Sequence, residues 1–136
     1  MFALVYLDLD GFKRVNDVFG HAAGDHALRE AAEALRSVAR REDVAARIGG
    51  DELAVLLAAC GSGEVVSATE RLRQAVAERM GGLGWPITAS VGAVRFQAAP
   101  RDVGHALMLA DGNMYAAKLA GKNRVVFTEH ADTAAA

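Results

Sequence analysis

The sequence predicts an α+β fold, with helices packed on a central, mostly antiparallel sheet, and three observations carry that reading. The aliphatic and aromatic run Phe2 to Leu7 ends abruptly in Asp8-Leu9-Asp10-Gly11. Two short apolar runs flank the paired glycines Gly49-Gly50. Three long stretches with apolar residues at helical spacing are interleaved with the strand-like runs. The implied element order is β-α-α-β-β-α-β-α-β.

Phe2 to Leu7 reads as a buried strand that closes in a polar loop. Phe12 to Phe19 follows as a short helix with Phe12, Val15, Val18 and Phe19 on its apolar face, stopped by Gly20. A longer helix from Ala23 to Ala39 places Leu28, Ala31, Ala32, Leu35 and Val38 on one side. Val44 to Ile48 and Leu53 to Ala58 form a hairpin, and Gly49-Gly50 should supply positive φ angles at its tip. Glu64 to Met80 is a second long helix carrying Val65, Ala68, Leu72, Ala75, Val76 and Met80. A strand from Ile87 to Phe96 comes next. The third long helix starts at Asp102, a good N-cap, and runs to Leu119 with Gly121 as its stop. Asn123 to Thr128 closes the domain as a strand, and the small, polar residues beyond, up to residue 136, read as a tail or linker.

The 136 residues suit one domain rather than two. An apolar fraction of 52% with 24% charged residues fits a globular chain and argues against disorder. A net charge of −2 excludes nucleic-acid or membrane binding driven by bulk charge, although a local cluster of cations still suits a small anion. The single cysteine, Cys60, follows an apolar run and reads as a packing residue in a reducing, cytoplasmic protein. No segment approaches the roughly 18 to 20 apolar residues of a membrane span, so no membrane contact is expected of this segment.

Two acidic sites fall at equivalent strand ends. Asp8 and Asp10 leave the first strand, and Asp51 and Glu52 sit at the hairpin tip. If those strands are neighbours, the carboxylates converge and need a cation to offset their repulsion. An all-oxygen set points to a hard divalent ion, Mg²⁺ before Zn²⁺. The four histidines are scattered and show no zinc spacing. Lys13 follows the Asp8 loop closely enough to reach a phosphate as a point charge. Asn16 and Asp25 offer an amide and a carboxylate, and a carboxylate accepting from a base edge prefers guanine to adenine. Lys118 and Lys122 bracket Gly121, where they equally well compensate a helix dipole.

Taken in order, Asp8-Leu9-Asp10-Gly11-Phe12-Lys13-Arg14-Val15-Asn16-Asp17, Phe19-Gly20-His21-Ala22-Ala23-Gly24-Asp25, Arg47-Ile48-Gly49-Gly50-Asp51-Glu52-Leu53, Ser90-Val91-Gly92, and Ala110-Asp111 through Tyr115-Ala116-Ala117-Lys118 to Gly121-Lys122-Asn123 resemble the GGDEF family of diguanylate cyclases. The resemblance spans nearly the whole chain, as one domain over residues 1–128. It implies the palm-like fold of nucleotidyl cyclases, related to ferredoxin-like folds. It further implies that two GTP molecules, one on each protomer of a homodimer, become cyclic di-GMP and two pyrophosphates. By the same resemblance Asp8, Asp51, Glu52 and the Leu9 carbonyl hold Mg²⁺, with Mn²⁺ as the alternative ion. Asp51 is the acceptor for the 3′-hydroxyl proton, with Glu52 and Lys13 beside it in the catalytic group. Asn16 and Asp25 read guanine. Lys13, Lys118 and Lys122, with the Phe12 region of the backbone, bind phosphates.

Arg40 and Asp43 match the family's Arg-x-x-Asp product-inhibition site, which would hold cyclic di-GMP, while Arg-Arg-Glu-Asp is also an ordinary charged helix end. Leu53 stands where the family usually has Phe, a packing difference at the first inward position of the second hairpin strand. Family domains usually carry a helix and an Asp-x-Leu-Thr-Gly-Leu-x-Asn-Arg segment before the first strand, leading to an N-terminal sensor or regulatory domain. This chain begins at that strand and is expected to be a fragment, or to lack the connecting element on which pairing depends. Three rivals stay open: a silent module that binds GTP to regulate a fused phosphodiesterase, a cyclic di-GMP receptor using Arg40 and Asp43 alone, and another nucleotidyltransferase of related fold. Intact Asp8, Asp51 and Glu52 speak against the first.

Overall fold

The structure is a computed structural model that describes residues 2–58 and 61–131. Its elements are β1 (Phe2–Asp10), α1 (Phe12–Phe19), α2 (His21–Val38), β2 (Val44–Arg47), β3 (Glu52–Ala58), α3 (Ser62–Gly82), β4 (Thr88–Phe96), α4 (Val103–Leu119) and β5 (Arg124–His130). This is the expected order. Cys60 and residues 132–136 of the expected tail lie outside the described residues, and strand β5 continues two residues past 128. No described helix is long and apolar enough to cross a membrane.

The five strands lie in the order β2-β3-β1-β4-β5. All neighbours are antiparallel except β4 and β5, which the α4 crossover joins in parallel. β1 is central and paired on both sides, so Asp8 stands opposite Glu52 on β3 and Ser90 on β4.

Alternation along the strands sorts the side chains onto two faces. Val5, Leu7, Leu9, Leu53, Val55, Val91 and Ala93 point into a large core with Val15 of α1, Leu28 and Leu35 of α2, and Leu72 and Val76 of α3. Tyr6, Val94 and Phe96 point the other way, against Ala106, Ala110 and Met114 of α4. The second face is covered by one helix that comes unusually close. A Cβ built on Gly92 of β4 would lie 2.2 Å from the Met114 amide nitrogen and 2.3 Å from the Ala110 carbonyl oxygen. Only glycine permits that approach.

Helix ends follow local chemistry. The Asp102 carboxylate accepts from the His105 amide at 2.7 Å, as an N-cap should. At the other end of α4, the Lys122 amide donates to the Ala117 carbonyl at 3.0 Å and the Gly121 amide to that of Lys118 at 3.3 Å. That is a Schellman turn, with Gly121 at φ 125°.

The apolar face expected of α1 is corrected. Val15 is its buried residue and Phe12 packs partly on the core, but Val18 and Phe19 are 63% and 62% exposed. Val18 lies six residues from Phe12, about 120° around the helix and off the buried stripe. Phe19 instead sets its ring edge-on to Trp85, with centroids 5.2 Å apart.

Candidate active site

The ends of β1 and β3, the hairpin tip, and the ends of α1 and α4 meet at one edge of the sheet. Register places Asp8 beside Glu52, and the Leu9 amide donates to the Asp51 carbonyl at 3.1 Å. The convergence expected of the acidic tips therefore holds for Asp8, Asp51 and Glu52. Lys118 reaches in from α4, its Nζ 3.2 Å from Asp8 Oδ2 and 3.8 Å from Asp10 Oδ1. The Lys118 ammonium thus pairs with carboxylates of β1 at the end of α4.

The two aspartates on β1 differ sharply. Asp10 is buried and saturated: it accepts from Thr88 Oγ1 at 2.8 Å, Ser90 Oγ at 2.7 Å and the Asn123 amide at 3.1 Å. Asp8 is 14% exposed, and its Oδ1 is buried without a hydrogen-bond partner. Burial first, and the neighbouring Asp51 charge second, push the Asp8 carboxyl up to about 6, with Lys118 opposing both. A carboxylate with one oxygen unpartnered and a like charge beside it fits a cation. The described residues contain no ready-made group of three acidic, histidine or cysteine side chains around one point. Oxygen donors of this kind suit a hard divalent cation. The Leu9 side chain is buried in the core, which leaves only its backbone to serve the site.

Tyr6 was not singled out by the sequence. It lies two residues before Asp8 on the same face, and its hydroxyl donates a short hydrogen bond to Glu52 Oε2. Burial, then the Glu52 carboxylate, raise the Tyr6 hydroxyl above its ordinary value and keep it a donor. Period-two alternation from Asp8 was the signal that would have found it.

The hairpin tip corrects a second expectation. Gly49 and Gly50 do not adopt positive φ. The turn is closed by the Ile48 and Gly49 amides, both donating to the Glu52 carbonyl at 2.9 and 3.3 Å. Arg47 clamps it from the side, donating from Nε to Gly49 O and from Nη2 to Gly50 O, each at 3.0 Å. A Cβ on Gly49 would make only ordinary contacts and one on Gly50 none within 4 Å, so the fold itself does not demand these glycines.

Gly24 sets α2 close against Asn16 of α1. A Cβ on Gly24 would fall 2.3 Å from Asn16 Oδ1, so the glycine lets α2 lie against the Asn16 amide. Asp25, the next residue, lines a cavity of about 410 Å³ between α2 and the hairpin, with Leu28, Arg29, Arg47 and Leu53 in its wall. Leu53 is buried and inward-facing as expected. Lys13 and Lys122 are exposed, on α1 and on the turn after α4 respectively.

Arg40 and Asp43 lie apart from this group, on the turn before β2. They line a narrow depression with Glu64 and Arg71 of α3. Asp43 also has structural partners, accepting from the Arg40 amide at 2.8 Å and the Ala58 amide at 3.1 Å. Arg71 is a second cation at this place that the sequence did not reveal, because it comes from a helix 31 positions on.

Comparison with known proteins gives concordant matches. The family described as "Diguanylate cyclase, GGDEF domain" matches residues 1–124. An uncharacterized protein of Bacillus subtilis, YhcK, is 40% identical over 132 residues, covering 94% of this chain and 37% of its own length. Diguanylate cyclase A of Treponema denticola is 33% identical over 131 residues, covering 94% of this chain and 35% of its own. The GGDEF domain of DgcB from Caulobacter crescentus, solved in complex with c-di-GMP, superposes with a TM-score of 0.79 at 35% identity, covering 93% of this chain and 77% of that one. The chain thus spans little more than a third of the two curated relatives' length.

Proposed function

Because the chain belongs to the GGDEF family of diguanylate cyclase domains, we propose that it binds one GTP and joins it to a second, held by a partner copy, as cyclic di-GMP. The observation that carries this reading is the convergence of Asp8, Asp51 and Glu52 at the end of β1, where Asp8 Oδ1 is buried without a hydrogen-bond partner and the Asp51 charge helps to raise its carboxyl. A divalent cation, Mg²⁺ or in its place Mn²⁺, would be held by Asp8, Asp51 and the Leu9 carbonyl with Glu52 alongside, and would neutralise phosphate charge. The domain acts where GTP is available, in the cytoplasm, with its input supplied by a sensor or regulatory domain elsewhere in the parent protein.

The chain's own groups divide the remaining work. Guanine enters beside α2, where Asp25 accepts from the base and the Asn16 amide completes the edge. Lys13, Lys118 and Lys122 meet the phosphates, helped by backbone amides at Gly11 and Phe12. Gly49 and Gly50 leave the hairpin tip bare, so that the second nucleotide approaches the backbone closely. Asp51 takes the proton of a 3′-hydroxyl as its oxygen bonds to the α-phosphorus of the other GTP. The bond from that phosphorus to the bridging oxygen breaks, and pyrophosphate leaves. Repeating the step in the other direction closes the ring, so two copies are needed.

Arg40, Asp43 and Arg71 are proposed to hold cyclic di-GMP as an inhibitory product. Two arginines and two carboxylates line this depression, with Arg40 Nη1 3.6 Å from Glu64 Oε2; the arginines suit the phosphates and Asp43 a base edge, and the DgcB domain was solved with that nucleotide.

Incubation with GTP and Mg²⁺ at high protein concentration, followed by nucleotide chromatography, tests the cyclase directly. Cyclic di-GMP should form with the parent and vanish with Asp51→Ala. Tight GTP binding without product, at any concentration, would instead make the domain a silent nucleotide-binding module.

A further inference from the structure

Helix α3 takes no direct part in the reaction proposed above, yet one of its side chains reaches the phosphate end of the site. Arg73 is 17% exposed, and its Nη1 donates to Asn123 Oδ1 at 2.7 Å across 50 positions of sequence. Glu70 orients the guanidinium, its two carboxylate oxygens each accepting from Nε at 3.1 Å. Asn123 in turn donates its amide to Asp10 Oδ2 at 3.1 Å, and Asp10 lies 3.8 Å from the Lys118 ammonium. Three successive contacts therefore run from α3 through the side chain and backbone amide of Asn123 to Asp10 and the Lys118 ammonium.

The turn between α4 and β5 needs such support. Lys122 and Asn123 are the two described residues other than glycine with positive φ, at 65° and 47°. Left-handed backbone is unfavourable for a residue such as lysine, less so for asparagine, and persists where the surroundings fix it. The Schellman bonds hold the turn from the helix side and Asp10 holds it from the sheet. Arg73 closes the third side. An isolated Arg–Glu pair three residues apart on a helix contributes little, but here the pair ends on a neutral amide in another element.

We infer that Arg73 is a positioning residue for the GTP phosphates: through Asn123 it fixes the left-handed turn that presents Lys122. This rests on the reading of Lys122 as a phosphate-binding cation. Arg73→Met keeps the apolar stem and removes the donors. Hydrogen exchange over residues 118–124 should quicken about tenfold at an unchanged melting temperature. GTP affinity, measured by calorimetry, should fall about fivefold, the worth of one well-made hydrogen bond. The double variant Arg73→Met/Lys122→Ala should bind no more weakly than Lys122→Ala alone, and Arg73→Lys should restore part of the loss. Unchanged exchange in a folded Arg73→Met protein would overturn the inference. So would normal GTP affinity in Arg73→Met beside a weakened Lys122→Ala. If Lys122→Ala binds GTP like the parent while exchange still responds to Arg73, the phosphate role of Lys122 has failed and the inference falls with it.

Discussion

Asp8 illustrates how a single carboxylate can be good for chemistry and poor for stability. Its ionised form is opposed by burial and by Asp51, and its carboxyl is raised from 3.8 to about 6. A raised carboxyl contributes stability below its unfolded value that is lost as pH climbs through the folded one. In metal-free protein this group's contribution should therefore decline between pH 4 and 6 and stay flat above. Thermal melts across that range, with and without Mg²⁺, check the sign: added Mg²⁺ should raise the melting temperature above pH 6 and do little below pH 4. Asp8→Asn removes the conflict and should melt a few degrees higher at pH 7 in the absence of metal, about 1 kcal/mol more stable, while losing cyclase activity. Tyr6→Phe tests the opposite kind of residue. It leaves the buried ring in place, so stability should change by about 1 kcal/mol or less, but it frees Glu52. Titration with Mn²⁺ should then show severalfold weaker binding.

At the scale of elements, the hairpin and its flanking helices were readable for different reasons. The β2–β3 hairpin was visible because its two runs are apolar and its tip is polar, and the strands lie where expected within a residue. The cause of the turn was not visible. Gly49 and Gly50 suggested positive φ, whereas backbone closure onto Glu52 and the Arg47 clamp make the turn. A guanidinium holding two carbonyls is a contact of geometry, and no spacing encodes it. Arg47→Ala should release the tip. Because the clamp is exposed, the melting temperature should move by about 2 °C or less. Cyclase rate should nonetheless fall about tenfold, since Asp51 would lose its place. α1 erred in the other direction: its spacing looked fully amphipathic, but eight residues at a sheet edge can bury only one narrow stripe.

For the whole molecule, the order of elements followed from hydrophobic periodicity, while the order of strands in the sheet did not. Local pattern reads Phe2 to Leu7 as a strand and Asp8 to Gly11 as a loop, whereas β1 runs on to Asp10, and only pairing on both sides makes it the centre and brings Asp8 to Glu52 and Lys118. The acidic group, Asn16 with Asp25, and the lysines were legible as residue types in sequence. Tyr6, Arg71 and Arg73 were not, since each acts on a residue far along the chain. One consequence of the sheet's second face follows for Lys118. Its 3.2 Å reach to Asp8 begins from a helix axis whose height above β4 is set by the missing side chain at Gly92. Gly92 is thus a spacer, and its effect is felt one helical turn past the contact at Met114. Gly92→Ala would wedge the helix outward by an ångström or so. The folded protein should survive at lower stability, but its ammonium would stand too far from the carboxylates, and GTP turnover should suffer more than GTP binding through the base. A single methyl group on the sheet would then act as a gauge of how closely charge must be placed.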